Sequence, residues 1–166
     1  MTPNYERAFE ERPDVYAAWG ELLGAIKANM NLRRYELATL AAARQLRSSY
    51  CALAHGKTLI EQFGEPVLQI ATDRTTTGLD EVDLAVMDLA EQVAEDATAV
   101  DEADRQRLRD LGLTDAEIMD VILAAAVRSF WTKTLDGLGV QPDASYLELD
   151  PELREVLVVG RPIAEA

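Results

Sequence analysis

The chain has 166 residues, enough for one domain with a proper core, and 48% of them are hydrophobic, which places it among folding sequences. Its 30 acidic residues against 16 basic ones leave a formal net charge of -14, a surface that repels phosphate backbones and anionic lipid heads, so neither nucleic-acid nor membrane partners are expected. One cysteine excludes an intrachain disulfide, and one cysteine with one histidine is too few for a structural zinc site, so no metal and no cofactor is expected.

Arg12-Pro13-Asp14 opens a first helix, in which Val15, Trp19, Leu22, Ile26 and Met30 recur at helical spacing as an apolar stripe. Asn31 caps a second, with Leu37, Leu40, Ala41 and Leu46 as its buried face and Arg33, Arg34 and Arg44 as its wet one. Ser48-Ser49 interrupts, and either serine suits the cap of a third helix that runs through Phe63 and stops at Gly64. Pro66 begins a short fourth helix ending near Asp73, and Arg74 to Gly78 reads as a loop. Asp80 with Asp83 forms a capping arrangement for a fifth helix carrying Leu84, Met87, Leu89 and Val93. A short sixth helix follows Asp101 and stops at Leu111-Gly112. Thr114 and Glu117 make a capping box for the longest helix, which reaches Leu138-Gly139. Its apolar residues Ile118, Val121, Ile122, Ala125 and Ala126 are little interrupted before Arg128, which predicts a central position.

From Gln141 the pattern changes. Pro142, Pro151 and Pro162 break the tail, and the apolar run Val156 to Val159 has no obvious home, so it is expected to pack on a neighbouring subunit. No strand-like alternation of useful length precedes the tail. The expectation is a single all-α domain over residues 1–166, of about seven helices, with an extended C-terminal arm over 141–166. No apolar run approaches the ~20 residues of a membrane span. The charged N-terminus, M-T-P-N-Y-E-R-A-F-E-E, lacks the apolar core of a secretion signal, and a reducing, cytoplasmic compartment is expected.

The stretch that carries chemistry is S-S-Y-C-A-L-A-H, Ser48 to His55, which holds the lone cysteine and the lone histidine. Cys51 falls in the first turn of the third helix, where unpaired N–H groups and the positive end of the helix dipole favour the reactive thiolate. His55, one turn on, lies on the same helical face, as a base for a thiol would. Taken alone, the pair reads more simply as a small buried hydrophobe and a satisfied histidine. Glu36 changes the balance. The second and third helices are joined by a residue or two and should form an antiparallel hairpin. At ~1.5 Å per residue from that turn, Cys51 lies ~4 Å along the third helix, His55 ~10 Å, and Glu36 ~17 Å along the second. A glutamate there can orient one imidazole nitrogen and leave the other to take the thiol proton: nucleophile, base and orienter in order.

Glu36, eleven intervening residues, then Ser48-Ser49-Tyr50-Cys51-Ala52-Leu53-Ala54-His55 resembles the signature of the AhpD-like alkylhydroperoxidases, within the carboxymuconolactone decarboxylase family. That signature is Glu-x11-Cys-x2-Cys-x3-His on an all-helical subunit that assembles into homo-oligomers. The order of elements is similar to the peroxidase-related branch, with an acidic helix like Leu79–Ala97, a short helix, and a last helix ending in Leu138-Gly139-Val140. The resemblance covers about residues 12–140 and implies an AhpD-like helical domain whose helix hairpin is the active site. It also implies antioxidant oxidoreductase chemistry: the cysteine nearer the histidine attacks peroxide, and the earlier cysteine resolves the sulfenic acid. Cys51, His55 and Glu36 match the catalytic roles, with Ser48 and Tyr50 as possible neighbours of the site. The resolving position is Ser48, and serine forms no disulfide, so an external thiol or a protein reductant is expected. Thr132-Lys133 stands where that branch often shows Asn-Arg.

Three functions follow. The first is a one-cysteine, thiol-dependent peroxidase for hydrogen peroxide or organic hydroperoxides. The second is decarboxylase-like acid–base chemistry on a small lactone, which needs Glu36 and His55 but not the thiol; against it stands the net charge of -14, which does not welcome an anionic substrate. The third is a helical oligomer whose reaction centre has decayed, with Ser48 as the first visible loss.

Overall fold

In a computed structural model, which describes residues 2–165, the chain is helical and carries no strand among the described residues. The nine α-helices among them are α1 (Asn4–Arg7), α2 (Pro13–Lys27), α3 (Leu32–Gln45), α4 (Ser49–Phe63), α5 (Val67–Asp73), α6 (Glu81–Asp96), α7 (Glu102–Asp110), α8 (Asp115–Gly137) and α9 (Pro151–Leu157). The seven helices read from the pattern are α2 to α8; α1 and α9 are additions. Several of their ends carry the expected chemistry, although Ser48, at the start of α4, makes no side-chain cap bond. Asn31 accepts the Arg34 N–H at the start of α3. Asp80 with Asp83, Asp101 with Asp104, and Thr114 with Glu117 each close a reciprocal capping box. Gly64 ends α4 at φ 68°, the left-handed conformation that glycine adopts without a Cβ penalty.

The central helix is α3, not α8. Every residue from Tyr35 to Ala43 is buried, with α4, α6 and α8 packed around it. Ala38, Ala41, Ala42 and Ala43 give α3 a slim waist that three neighbours can approach, and a helix enclosed on all sides needs no polar face. α8 is apolar for another reason: Met119, Leu123 and Phe130 are exposed on it. Arg33 and Arg34, expected to be wet, fold back on the buried Asp83 of α6, at 2.7 Å and 3.0 Å. One core region lies where α4, α5 and α9 meet the C-terminal half of α8, and a second lies between α6, α7 and its N-terminal half. A third, smaller one joins Ile26 of α2 and Tyr35 of α3 to Ala124 and Val127 of α8.

The tail also differs from expectation. Its apolar run packs on its own chain: Leu153 and Leu157 of α9 are buried, and Val156, Val158 and Val159 lie against the same core. Pro151 occupies the first position of α9, where a missing N–H costs nothing, and Asp150 caps it by accepting from Glu152 and Leu153. Beyond α9 the arm reaches the α3–α4 turn. The Gly160 N–H donates to Ser49 Oγ at 2.8 Å, and Arg47 Nε donates to the Val159 carbonyl at 3.2 Å. A Cβ on residue 160 would lie 2.0 Å from the Arg47 carbonyl oxygen, so only glycine fits this crossing. Arg47 itself turns the chain at φ 57°. No helix among the described residues is long and apolar enough to cross a membrane.

Candidate active site

Three helices bring the chemistry together. α3 supplies Tyr35 and Glu36, α4 supplies Cys51 and His55, and α8 supplies Arg128 and Thr132. The α3–α4 hairpin sets Glu36 against His55, and Glu36 Oε2 lies 2.5 Å from His55 Nδ1. Lys27, the last residue of α2, places Nζ 3.8 Å from the other Glu36 oxygen and 4.9 Å above the Tyr35 ring.

The charge state of the pair follows from its surroundings. Burial pushes His55 down to about 4, the nearby positive charge of Arg128 acts the same way, and Glu36 opposes both without prevailing. Burial pushes the Glu36 carboxyl up, but the hydrogen bond from His55, with the charges of Lys27 and Arg128, leaves it below its ordinary value. At neutral pH this is a neutral imidazole beside a carboxylate. The carboxylate can only accept, so Nδ1 carries the proton and Nε2 presents a free lone pair.

Cys51 is bound differently. No hydrogen bond joins it to His55. Its sulfur accepts from Arg128 Nη1 at 3.6 Å and from Thr132 Oγ1 at 3.5 Å, both on α8. Arg128 Nη2 donates to the Tyr35 hydroxyl at 3.2 Å, and Tyr35 stands edge-on to the His55 ring. Cys51, Arg128 and Thr132 are all buried. The four-residue spacing on α4 therefore carries Cys51 to α8 and His55 to α3, and Tyr35 with Arg128 links the two sides.

Ser48, at the resolving position, is fully buried and precedes α4; its hydroxyl lacks a hydrogen bond of good geometry. Tyr50 points away from the sulfur. Its hydroxyl donates to Asp143, and its ring meets Tyr5 and Tyr146 edge-on. Arg128, Tyr35 and Lys27 were not singled out in the sequence. The visible signal for Arg128 was an arginine four residues before Thr132 at the end of an apolar run. Among the described residues no group of three or more His, Cys, Asp or Glu side chains is placed to hold a metal ion.

No established family profile matches the sequence, and no curated protein is significantly similar to it. Solved structures are similar in fold. An uncharacterized peroxidase-related protein with an AhpD core, from Ralstonia eutropha JMP134, superposes with a TM-score of 0.78 at 22% identity, over 97% of this chain and 84% of that one. A second peroxidase-related protein, from Silicibacter sp. TM1040, gives 0.80 at 20% identity, over 89% and 80%. A cysteine-to-alanine variant of the debrominase Bmp8, in complex with a tribromopyrrole, gives 0.80 at 15% identity, over 94% and 83%. This all-helical chain, hairpin and surrounding helices together, has the AhpD-like fold.

Proposed function

We propose that the protein is a single-cysteine, thiol-dependent peroxidase for hydrogen peroxide or organic hydroperoxides. The observation that carries this reading is a lone thiol, held by two donors at the start of α4, beside a preformed Glu36–His55 pair. Cys51 is the nucleophile, His55 the base through Nε2, and Glu36 the group that fixes its tautomer. Attack on the peroxide gives a sulfenic acid on Cys51 and an alcohol or water. With Ser48 in place of a second thiol, an external thiol or protein reductant returns the sulfur to its reduced form. The peroxidase-related proteins that share the fold support this reading at the level of chemistry class. The test is exposure to near-stoichiometric peroxide followed by mass measurement of Cys51. Oxidation of wild type is expected, Cys51→Ser abolishes turnover, and His55→Ala lowers it ~10²–10⁴-fold. An unoxidised Cys51, or full turnover in Cys51→Ser, overturns the proposal.

A second reading is favoured by one observation: the Glu36–His55 pair is complete without Cys51, and Lys27 and Arg128 place local positive charge in an acidic protein. This suits acid–base chemistry on a small carboxylated lactone. It requires Cys51→Ser to be tolerated and His55→Ala not.

The active form is proposed to be a homo-oligomer. An apolar groove of about 470 Å³ between α2 and α8, lined by Val15, Trp19, Leu22, Ile26, Leu123 and Phe130, supports self-association. A monomeric mass in solution at working concentration rejects it.

A further inference from the structure

We infer that Arg128 is the counter-charge of the Cys51 thiolate: a buried guanidinium on α8, more than the imidazole of His55, holds the sulfur ionised and then stabilises the departing oxygen. This rests on the reading of Cys51 as the nucleophile.

Arg128 is 4% exposed, and among the described residues no carboxylate lies within salt-bridge distance of it. Its Nε has no partner, Nη2 reaches a neutral phenol, and Nη1 reaches the sulfur. A guanidinium does not lose its proton in a protein, so it cannot escape burial by becoming neutral. It needs an anion, and of the two ionisable atoms it touches the one ordinarily more acidic is Cys51 Sγ. Thr132, donating to the same sulfur, completes a two-donor cradle.

The other groups around the sulfur do not supply that charge. On α3, Tyr35 is held in its neutral form by burial. On α4, burial leaves His55 neutral, with Glu36 and Lys27 beyond it. In the turn Ala144–Glu148, burial raises Tyr146 to about 12, so it too is uncharged. Arg128 itself is driven down by burial and up by Cys51 and then Tyr35, with the upward influences prevailing.

The chemical step balances. The thiolate attacks the terminal peroxide oxygen, an S–O bond forms and the O–O bond breaks. Sulfur is oxidised to sulfenic acid, which keeps the peroxide hydrogen as S–OH, while the peroxide is reduced and its second oxygen leaves as alkoxide or hydroxide. Negative charge thus moves from sulfur to the leaving oxygen within reach of one guanidinium. The proton that Cys51 released to solvent on ionising is returned to that oxygen by water, with His55 neutral before and after.

The test uses the intact chain, whose one cysteine lets the ultraviolet absorbance of thiolate be followed against pH, with Cys51→Ser as the blank. Arg128→Met is expected to raise the thiol midpoint by about 1–3 pH units, Arg128→Lys to recover most of that rise, and His55→Ala to move it less than Arg128→Met. An unmoved midpoint in folded Arg128→Met overturns the inference. If that variant does not fold, Arg128→Gln, which keeps polar donors without the charge, decides: an unmoved midpoint there, or a larger rise in His55→Ala than in Arg128→Gln, overturns it. The peroxidase reading fails separately, through wild-type Cys51 that ionises as expected yet resists peroxide.

Discussion

Asp83 and Arg128 are both charged side chains buried in the helical core, and their partners differ in kind. Asp83 is 1% exposed and receives Arg33 from one side and Arg34 from the other, with Asp80 and Glu65 as further carboxylates for the two arginines. Burial alone pushes the Asp83 carboxyl up, but the arginines outweigh it and hold the group below its ordinary range. In this cluster every charge has an opposite in reach, and it pins the start of α3 to the start of α6. Arg128 is also buried, at 4% exposed, and faces the Cys51 sulfur and the Tyr35 phenol. Where permanent opposite charges meet, burial gives a brace; where a buried cation meets only ionisable groups, burial favours the ionised form of one of them.

The largest expected effect separates the two clusters by stability. Asp83→Ala leaves Arg33 and Arg34 without their shared carboxylate and should lower unfolding free energy by about 3 kcal/mol, near the lower end for a broken buried pair because both arginines keep a solvent edge. Urea unfolding checks the loss, and peroxide reactivity of the protein that remains folded should be unchanged. A similar magnitude is expected in the pH dependence of the Glu36–His55 pair. His55 falls from 6.5 unfolded to about 4 folded, so between those values the unfolded chain binds more protons. Its contribution is complete above pH 6.5 and declines by up to ~3 kcal/mol as pH falls toward 4. Stability curves from pH 7 to 4 should therefore flatten in His55→Gln; an unchanged slope would show that the imidazole is not held neutral. Asp83 and Glu36, both depressed, act in the same direction at lower pH. Replacing Gly160 should cost less, about 1–3 kcal/mol for an overpacked contact, read as a lower midpoint for Gly160→Ala in thermal unfolding. Smallest is Arg128→Met, expected within about 1 kcal/mol of wild type, since an apolar side chain replaces a half-satisfied cation. Stability lost at Asp83 with reactivity kept, and the reverse at Arg128, would sharpen the contrast; equal losses of both would break it.

Much of this was legible in the residues. The capping boxes at Asp80 and Thr114 and the glycine stop at Gly64 place helix ends, because those ends are decided by a few local hydrogen bonds. α9 was hidden by reading Pro151 only as a breaker, although Asp150-Pro151 is also a start signal. The central place of α3 depends on three helices converging on its alanines, which the periodicity of one segment does not report. Glu36 and His55 could be aligned because one hairpin carries both. Arg128 and Thr132 reach Cys51 through tertiary packing, and no spacing within α4 points to them.

The same distinction has a temporal side. The Glu36–His55 contact spans 19 residues, whereas the contacts of Cys51 with Arg128 and Thr132 span 77 and 81, and the Gly160 brace on Ser49 spans 111. Closing such distances is slow compared with folding a hairpin. A chain emerging from a ribosome can therefore form its acid–base pair long before its thiol is enclosed. We expect chains ended before Arg128 to be alkylated readily at Cys51 and full-length chains slowly; equal rates would contradict that order. Until α8 arrives and the last residues close over the turn, the cell meets this protein as an open thiol.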